Sequence, residues 1–343
     1  MEAIGIALVG AGAFGEFCLR AFDAMPEIRI QAVCDVDAAR AEAMAHQYHA
    51  QAYTDLATLL HDPSVQIVAL NTPPHLHAEQ GLAVLKAGKH LVCEKPLALT
   101  CADAEALIET AAANHVLLTV DYVMRYNPFW QAAADLSHSG VLGQLRHMDL
   151  SNHAAGLSLP ANHWFWDKTK SGGIWIEHGV HFFDAFTWVA GERGEILASS
   201  SYRRPDGATD RVEALAQFGT TAAHFYHGFD QSGQTEQTTV RLTFEKGYVT
   251  LREWVPTSIE IVTTLSAGHI TPYLHGEIET SPYHNNRTLI RAYAPQGKSA
   301  VYQQSIQAAM LALVRSIQTG QVLPVSGQQG LDSLALAVAA ENE

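Results

Sequence analysis

The chain opens with a buried-strand pattern that runs directly into a glycine-rich turn and then into a helix pattern. The apolar segment 4–9 leads into Gly10-Ala11-Gly12-Ala13-Phe14-Gly15, a G-x-G-x-x-G run. In such a unit two glycines let the backbone approach a pyrophosphate, the third lets helix and strand pack closely, and the helix N-terminus offers N–H groups to phosphates. The run therefore predicts a doubly wound parallel α/β sheet. It also predicts dinucleotide contacts at Gly10, Gly12, Ala13, Phe14 and Gly15.

An acidic residue ends the second apolar segment. Asp35 follows residues 28–34 and comes about 20 positions after Gly15, where a carboxylate can accept hydrogen bonds from an adenosine ribose. This position favours NAD over NADP, because the 2′-phosphate of NADP would meet a like charge. Arg40 keeps NADP open. The alternative is that Asp35 is a strand-end residue that caps the helix predicted over 37–47.

Apolar segments and helix patterns alternate through the first third of the chain. Such alternation is typical of a parallel sheet with right-handed crossovers. The strand patterns cover 4–9, 28–34, 67–71, 90–94 and 117–120, and the helix patterns cover 14–24, 38–48, 56–60, 75–87 and 101–114. The expected fold of this part is a Rossmann-type sheet.

The pattern changes beyond Pro128. Successive strand patterns with glycine turns fill residues 196–304, which predicts a large, mostly antiparallel open sheet in an α/β domain. Because 343 residues exceed what one hydrophobic core usually supports, we expect two domains, 1–124 and 125–343. Further helix patterns lie at 129–137, 174–189, 305–319 and 330–343, and a further strand pattern lies at 145–152.

Charge and cysteine content argue against several classes of protein. With 21 Lys and Arg against 35 Asp and Glu, the formal net charge is −14, which argues against nucleic-acid and anionic-membrane partners. The cysteines lack C-x-x-C spacing and suggest neither a disulfide framework nor a zinc module. No apolar stretch reaches membrane-spanning length and no leader pattern is visible, so a cytoplasmic protein is expected. The cysteines are Cys18, Cys34, Cys93 and Cys101.

Two short motifs follow core strands, and ligands of open α/β sheets bind beyond the carboxyl ends of strands. Both motifs are therefore expected at the cofactor. Pro96 restricts the backbone of Lys95, so that the Lys95 ammonium can be aimed into a cleft. His77 is divided between a cofactor contact and a structural position at a helix start. The motifs are Asn71-Thr72-Pro73 and Glu94-Lys95-Pro96.

Taken together, the motifs resemble the Gfo/Idh/MocA family, the relatives of glucose-fructose oxidoreductase and inositol dehydrogenase. The resemblance runs in order along the whole chain. Besides the glycine run and the two strand-end motifs, it includes Arg125-Tyr126-Asn127-Pro128 and a Gly172-Gly173 pair before Glu177-x-x-x-His181.

The resemblance implies a nicotinamide cofactor, sugar or cyclitol substrates, and a C-terminal sheet that builds homodimers or homotetramers. It also implies that Lys95 is the catalytic lysine and His181 the catalytic histidine. Members of the family commonly carry Asp four residues before that histidine, whereas this chain has Glu177. We expect Glu177 to orient His181 or to bind a neighbouring hydroxyl.

The types of these residues suit alcohol oxidation. On a helix Glu177 and His181 share a face, and Asp184 continues it. A neutral imidazole can take the proton of a carbinol as its carbon gives up hydride, while Lys95 hydrogen-bonds the same oxygen or itself acts as the base. A metal held by Glu177, His178, His181 and Asp184 is disfavoured, because His178 is turned roughly 100° from Glu177 on a helix and no H-E-x-x-H pattern occurs.

An aromatic loop supplies candidate substrate contacts, because indole faces stack on the C–H faces of pyranose rings. We expect one of Trp164 and Trp166 to line the pocket and the other to be buried. Arg125 and Asn127 are divided between substrate contact and bracing of the interdomain hinge. Weaker candidates are His153, Tyr283 and His284.

The sequence thus predicts an NAD-dependent oxidoreductase that acts on a secondary alcohol, or the corresponding ketone, of a sugar, cyclitol or polyol. The alternative within the same fold is a redox-neutral enzyme that recycles tightly bound NAD during epimerisation, elimination or glycoside cleavage. A non-catalytic nucleotide sensor is a third hypothesis, disfavoured because Lys95 and His181 are both present.

Overall fold

The computed structural model describes residues 3–342. The chain forms two compact units. The first takes the chain as far as Val123 together with Thr169–Gly172 and Gln303–Leu334. The second takes Met124–Lys168, Gly173–Tyr302 and the residues from Ala335 onward. The domain division at 124/125 stays a prediction.

The first unit is built on a six-stranded, fully parallel sheet. Its order, β3-β2-β1-β4-β5-β6, reverses between β1 and β4, which is the switch point where doubly wound sheets bind ligands. The predicted fold class is confirmed, and β3 is a short strand that the sequence did not predict. The strands are β1 (Ile4–Val9), β2 (Ile28–Cys34), β3 (Gln51–Tyr53), β4 (Ile67–Leu70), β5 (His90–Cys93) and β6 (Leu118–Val120).

Burial explains the apolar character of these strands. Every residue of β1 and β4 is buried, as expected for parallel strands covered on both faces. The helices between the strands have local caps, such as Asp37 for α2 and Thr100 for α5, whose side chains accept backbone N–H groups. These helices are α1 (Ala13–Asp23), α2 (Ala38–Gln47), α3 (Leu56–Leu60), α4 (His77–Lys86) and α5 (Cys101–Ala113).

The register of the parallel strands aligns their carboxyl ends. Val9 pairs with both Cys34 and Leu70, Leu70 pairs with Cys93, and Cys93 pairs with Val120. The residues that follow β2, β1, β4, β5 and β6 therefore fall in one line across the sheet, which we call the strand-end row. The row consists of Asp35, Gly10, Asn71, Glu94 and Asp121.

The second unit is built on a nine-stranded sheet with the order β14-β15-β13-β12-β11-β7-β10-β9-β8. All pairs are antiparallel except β7 with β10, which confirms the mostly antiparallel prediction. The strands are β7 (Leu145–His153), β8 (Gly194–Arg203), β9 (Thr209–Phe218), β10 (Thr221–Gly228), β11 (Gln237–Phe244), β12 (Gly247–Arg252), β13 (Ser258–Thr263), β14 (Glu277–Tyr283) and β15 (Arg287–Tyr293).

Two element boundaries differ from the sequence predictions. The segment predicted as one helix over 174–189 begins as a π-helical turn, Trp175–Gly179, before α8 continues it. The last strand ends at Tyr293 and not at 304, because the helix α9 already begins at Lys298. A short apolar run does not show from sequence alone whether it forms a strand or a helix. The remaining helices are α6 (Pro128–Ser139), α7 (Lys168–Ser171), α8 (Val180–Ala190), α9 (Lys298–Thr319) and α10 (Gly327–Asn342).

Within residues 3–342, no helix is both long enough and apolar enough to cross a bilayer. Residue 343, the last of the helix predicted over 330–343, lies outside the described residues.

Candidate active site

The glycine turn is shaped by close backbone approach at one position and by open space at another. Gly10 has φ +95°, and a Cβ there would lie 2.6 Å from the carbonyl oxygen of Asn71. Gly12 is the N-cap of α1, and a Cβ on it would meet no atom within 4 Å. The turn therefore needs glycine at Gly10 for the fold itself, whereas Gly12 leaves free space at a helix N-terminus, where an anionic group is favoured. This geometry fits the predicted dinucleotide.

Asp35 connects the glycine turn to the next helix. Its Oδ2 accepts a hydrogen bond from the backbone N–H of Ala11 at 2.8 Å, and its Oδ1 accepts one from Asp37 at 2.9 Å. Arg40 lies 3.4 Å from the same Oδ2. The cap of α2 is Asp37, so Asp35 is not the helix cap that the alternative reading assumed. The neighbouring Val36 side chain is 93% exposed, an apolar surface beside the carboxylate.

A pair of carboxyl groups lies at the β5–β6 end of the strand-end row. Glu94 and Asp121 are hydrogen-bonded to each other, and the backbone N–H of Lys95 donates to Glu94 Oε2 at 3.3 Å. Burial, and then the like charge of Asp121, raises the pKa of Glu94 well above its usual range. Burial also raises the pKa of Asp121. Two adjacent carboxyl groups cannot easily both ionise, so the pair holds a proton immediately next to Lys95. The Lys95–Pro96 peptide bond is cis.

Cys18 completes the surroundings of this pair. Among the described residues, Cys18, Glu94 and Asp121 place their sulfur and oxygen atoms within 4.8 Å of one another, a grouping that could hold a cation. Burial raises the pKa of the Cys18 thiol well above its usual value. Protonated groups are poor metal ligands, since a ligand must be deprotonated to bind.

His77 takes a structural position. It is completely buried, with Nδ1 2.7 Å from the carbonyl oxygen of Pro96 and Nε2 2.8 Å from that of Thr72. Burial lowers the pKa of His77, and a neutral imidazole donates to only one of the two carbonyls at a time. His77 thereby holds the two strand-end motifs in place, which is the structural alternative of the sequence analysis.

The second unit contains a cluster of imidazole and indole rings around His181, which we call the ring cluster. The His181 ring packs edge-on against Trp254, with centroids 4.6 Å apart, and lies 5.7 Å from the His178 ring. His178 also packs on Trp254 at 4.7 Å, and its Nδ1 shares a hydrogen bond of 2.7 Å with His227 Nε2. His181 is only 4% exposed. The histidine is thus oriented by ring contacts on two sides.

The π-helical turn explains how His178 reaches His181. Such turns widen the helix and are frequent at functional sites. Glu177 lies in this turn and is 8% exposed, and its predicted role beside His181 stays a prediction. The start of the turn is held from far along the chain, because Glu341 Oε1 accepts the backbone N–H of Trp175 at 3.0 Å. A Cβ on Gly173 would lie 2.4 Å from the same carboxylate.

Arg125 and Asn127 make polar contacts within the second unit, so their bracing of the interdomain hinge stays a prediction. The Arg125 guanidinium binds both oxygens of Asp184 at 2.8 Å, in a pair that is largely buried. Asn127 caps α6 by accepting backbone N–H groups of Phe129 and Trp130, and its Nδ2 donates to the carbonyl oxygen of Pro256. Substrate contact by either residue stays a prediction.

The aromatic loop has a different buried member from the one the sequence suggested. Phe165 is 8% exposed and packs on Phe229, with ring centroids 4.6 Å apart. Trp164 and Trp166 are both half-buried, and the Arg204 guanidinium lies 4.2 Å from the Trp166 ring centroid. Substrate binding by these two indoles stays a prediction.

Sequence reasoning missed Asp121 and the partners of His181. Asp121 follows β6 directly, so the strand-end rule that singled out Glu94 applies to it equally. Trp254 and His227 carry no motif, and nothing local in the sequence marks them. Trp254 becomes a neighbour of His181, and His227 a neighbour of His178, only through the pairing of distant strands.

Two family models match the chain. The model described as "Oxidoreductase family, NAD-binding Rossmann fold" matches residues 4–122, and the one described as "GFO/IDH/MocA C-terminal domain" matches residues 130–250. Together these matches confirm the predicted family, enzyme class and cofactor.

Individual relatives agree with this match. An uncharacterized oxidoreductase of Synechocystis sp. is 31% identical over 208 residues, which are 59% of this chain and 56% of that protein, little more than half of either. Inositol 2-dehydrogenase of Rhizobium meliloti is 25% identical over 346 residues, covering 97% of this chain and 94% of that one. The structure of a levoglucosan dehydrogenase with NADH and levoglucosan superposes with a TM-score of 0.84 over 100% of this chain and 98% of that one. Its identity is 18%, so this likeness shows the fold.

The parallel sheet with its glycine turn, the open antiparallel sheet and the matches to both halves lead to one conclusion. The chain is an NAD-binding oxidoreductase and belongs to the GFO/IDH/MocA family.

Proposed function

We propose that this oxidoreductase is a dehydrogenase that transfers hydride between NAD and a secondary alcohol, or the corresponding ketone, of a sugar or cyclitol. The observation that carries the proposal is the strand-end row. It places Glu94, and Lys95 directly after it, in line with the glycine turn at Gly10. An ammonium group at the nicotinamide end of a dinucleotide site suits stabilisation of a developing alkoxide. The relatives named for inositol and levoglucosan act on ring alcohols, which supports this substrate class.

NAD would be held by the residues that the sequence predicted. Gly12 and the N-terminus of α1 would hold the pyrophosphate, Asp35 would accept hydrogen bonds from the ribose hydroxyls, and the exposed Val36 would offer an apolar surface to the adenine. When bound, NAD supplies an electrophilic ring carbon that accepts hydride. The other predicted contacts are Gly10, Ala13, Phe14, Gly15, Asn71, Thr72, Pro73, His77, Glu94 and Lys95.

The chain's own groups would handle the proton. In alcohol oxidation the carbinol C–H bond breaks with its electron pair, and the O–H proton goes to a base. We assign that base to the imidazole of His181, which Trp254 and His178 hold in orientation. Lys95 would donate a hydrogen bond to the same oxygen, and Glu177 would orient the imidazole or bind an adjacent hydroxyl. The products are a ketone, reduced NAD and a proton, so atoms and electrons balance.

A substrate panel tests the proposal. Purified protein is incubated with NAD or NADP and with single sugars, inositols, anhydrosugars and sugar acids, while reduced nicotinamide and remaining substrate are both measured. Oxidation of at least one ring alcohol with stoichiometric NADH supports the proposal. Substrate loss without NADH would favour internal recycling of NAD, and no turnover of any ring alcohol would overturn the proposal. A Lys95→Met variant is the control for contaminating activity.

A further inference from the structure

A groove crosses the ends of three neighbouring strands in the second unit. Its volume is about 690 Å³, within the range of about 300 to 1,000 Å³ typical of sites for drug-sized ligands. It is lined by the end of β7, the start of β11 and the segment after β12, together with His178 of the ring cluster. Neither His181 nor any residue predicted from the sequence as a primary substrate contact lines it. Of the residues that line the groove, only His153 was suggested by the sequence as a substrate contact, and as a weaker candidate.

Strand register brings a polar row to the floor of this groove. Asn152 of β7 pairs with Thr238 of β11 on one side and with His227 of β10 on the other. Asn152 is 2% exposed, and its Oδ1 accepts a hydrogen bond from Thr238 Oγ1 at 2.7 Å. Its Nδ2 has no hydrogen-bond partner among the described residues. A buried amide donor is normally satisfied, so an unsatisfied one in the wall of a groove points to a ligand acceptor that completes it.

The charges of the groove balance. Arg252 and Lys298 are its cations, Glu236 and Glu253 are its carboxylates, and Lys298 forms an ion pair with Glu253 at 3.3 Å. Such a lining has no net preference for an anion or a cation. It suits a neutral molecule that offers many hydroxyl groups to amide, hydroxyl and imidazole partners.

Trp254 links the groove to the catalytic histidine. The half-buried indole lines the groove and also contacts the His181 ring, with centroids 4.6 Å apart. Glu253, just before it, has φ +68°, a left-handed conformation that is rare for residues other than glycine, asparagine and aspartate. Non-glycine residues in this region cluster at ligand sites. A molecule that reacts at His181 and extends past the indole therefore enters the groove.

We propose that the groove is a subsite for a second ring, so that the preferred substrate is a neutral glycoside whose reacting ring lies at His181. The second ring stacks on Trp254, and one of its hydroxyl oxygens accepts a hydrogen bond from Asn152 Nδ2. The assignment rests on the proposed function for the reacting ring only.

The test uses matched pairs of one-ring and two-ring compounds. D-glucose is compared with cellobiose, and myo-inositol with galactinol, by calorimetric binding to the NADH-saturated protein and, where turnover occurs, by kcat/KM. We expect the two-ring member of at least one pair to bind about tenfold more tightly, equivalent to about 1.4 kcal/mol. Equal or weaker binding of both two-ring members, including no binding at all, would overturn the subsite. Because binding is read without turnover, this outcome is distinct from the failure of the panel that tests the proposed function.

Variants separate a ligand role for Asn152 from a structural one. Asn152→Leu removes the unsatisfied donor at similar size, and Trp254→Phe keeps a ring against His181 but shortens the platform. We expect each to lower the two-ring over one-ring affinity ratio at least about fivefold. Asn152→Leu should also lower the melting temperature, because Thr238 Oγ1 loses its buried acceptor, so the affinity ratio is the readout that decides. Thr243→Val, on β11 but outside the groove, is the matched control and keeps the ratio. An unchanged ratio with a lowered melting temperature in Asn152→Leu would show a purely structural residue.

Discussion

The strand-end row of the first unit and the ring cluster of the second are built in opposite ways. The row is polar, and its members are fixed by backbone hydrogen bonds, such as that from the Glu94 N–H to the Leu70 carbonyl oxygen at 3.0 Å. The ring cluster is held by side-chain contacts among His178, His181 and Trp254. Strand register thus fixes the positions of the polar residues in the row. Ring packing, by contrast, fixes the orientation of the His181 imidazole.

The consequence is a difference in what each region tolerates. A row set by main-chain register is sensitive to any added Cβ where two backbones meet. A cluster set by ring contacts is sensitive to ring size and shape, because each aromatic pair contributes about 0.5 to 1.5 kcal/mol beyond its buried area. Some substitutions in and beside the row should therefore lower the stability of the fold, and others should weaken ligand binding, depending on whether a Cβ at that position meets another backbone.

The largest expected effect is on turnover. Lys95→Met and His181→Asn should each lower kcat by a factor of about 10² to 10⁴, the usual contribution of a general acid or base. The affinity for NAD should change much less, because the glycine turn and Asp35 are assigned to hold its pyrophosphate and ribose and Lys95 is one contact among many. Steady-state kinetics and NADH titration check this, with the exposed Lys86→Met on α4 as the matched control. A variant that keeps its turnover would show that the substituted residue does not have the role assigned to it.

The next effect separates two glycines of one turn. Gly10→Ala forces φ +95° on alanine and places its Cβ 2.6 Å from the Asn71 carbonyl oxygen, so we expect a loss of about 2 kcal/mol or more in the free energy of unfolding. Gly12→Ala meets no atom within 4 Å and should change stability by less than about 0.5 kcal/mol while weakening NAD binding. Denaturant unfolding and NADH titration measure the two quantities. Equal stability of both variants would contradict the assigned roles.

A third prediction concerns pH. The pKa of Glu94 is raised in the folded protein, chiefly by burial, so the native state binds a proton that the unfolded state releases as the pH rises above about 4.3. Wild type should therefore lose stability relative to Glu94→Gln over that rise, by at most about 1.4 kcal/mol per pH unit. Unfolding of both proteins across pH 5 to 8 gives the difference. Glu109→Gln, an exposed change on α5, should run parallel to wild type.

The same contrast explains what the sequence could predict. Asp35, Glu94 and the glycine turn were accessible because each follows a strand immediately, and Asp121 obeys the same rule at the end of the three-residue β6. The ring cluster was not accessible beyond His181. His227 comes to His178 from 49 residues away, and Glu341 comes to the π-helical turn from 166 residues away. Contacts of that separation depend on how strands pair, which local patterns do not specify.

The smallest expected effect tests Asp35. Asp35→Asn keeps an oxygen for the Ala11 N–H but removes the charge that faces a 2′-phosphate and that Arg40 approaches at 3.4 Å. We expect the preference for NAD over NADP to fall several-fold, with most of the change in NADP affinity, since the repulsion is lost while the ribose can still be bound. Asp37→Asn, which retains a cap for α2, is the matched control and should leave the preference unchanged. An unaltered ratio of the two cofactor affinities in Asp35→Asn would mean that the carboxylate serves only to tie the glycine turn to α2.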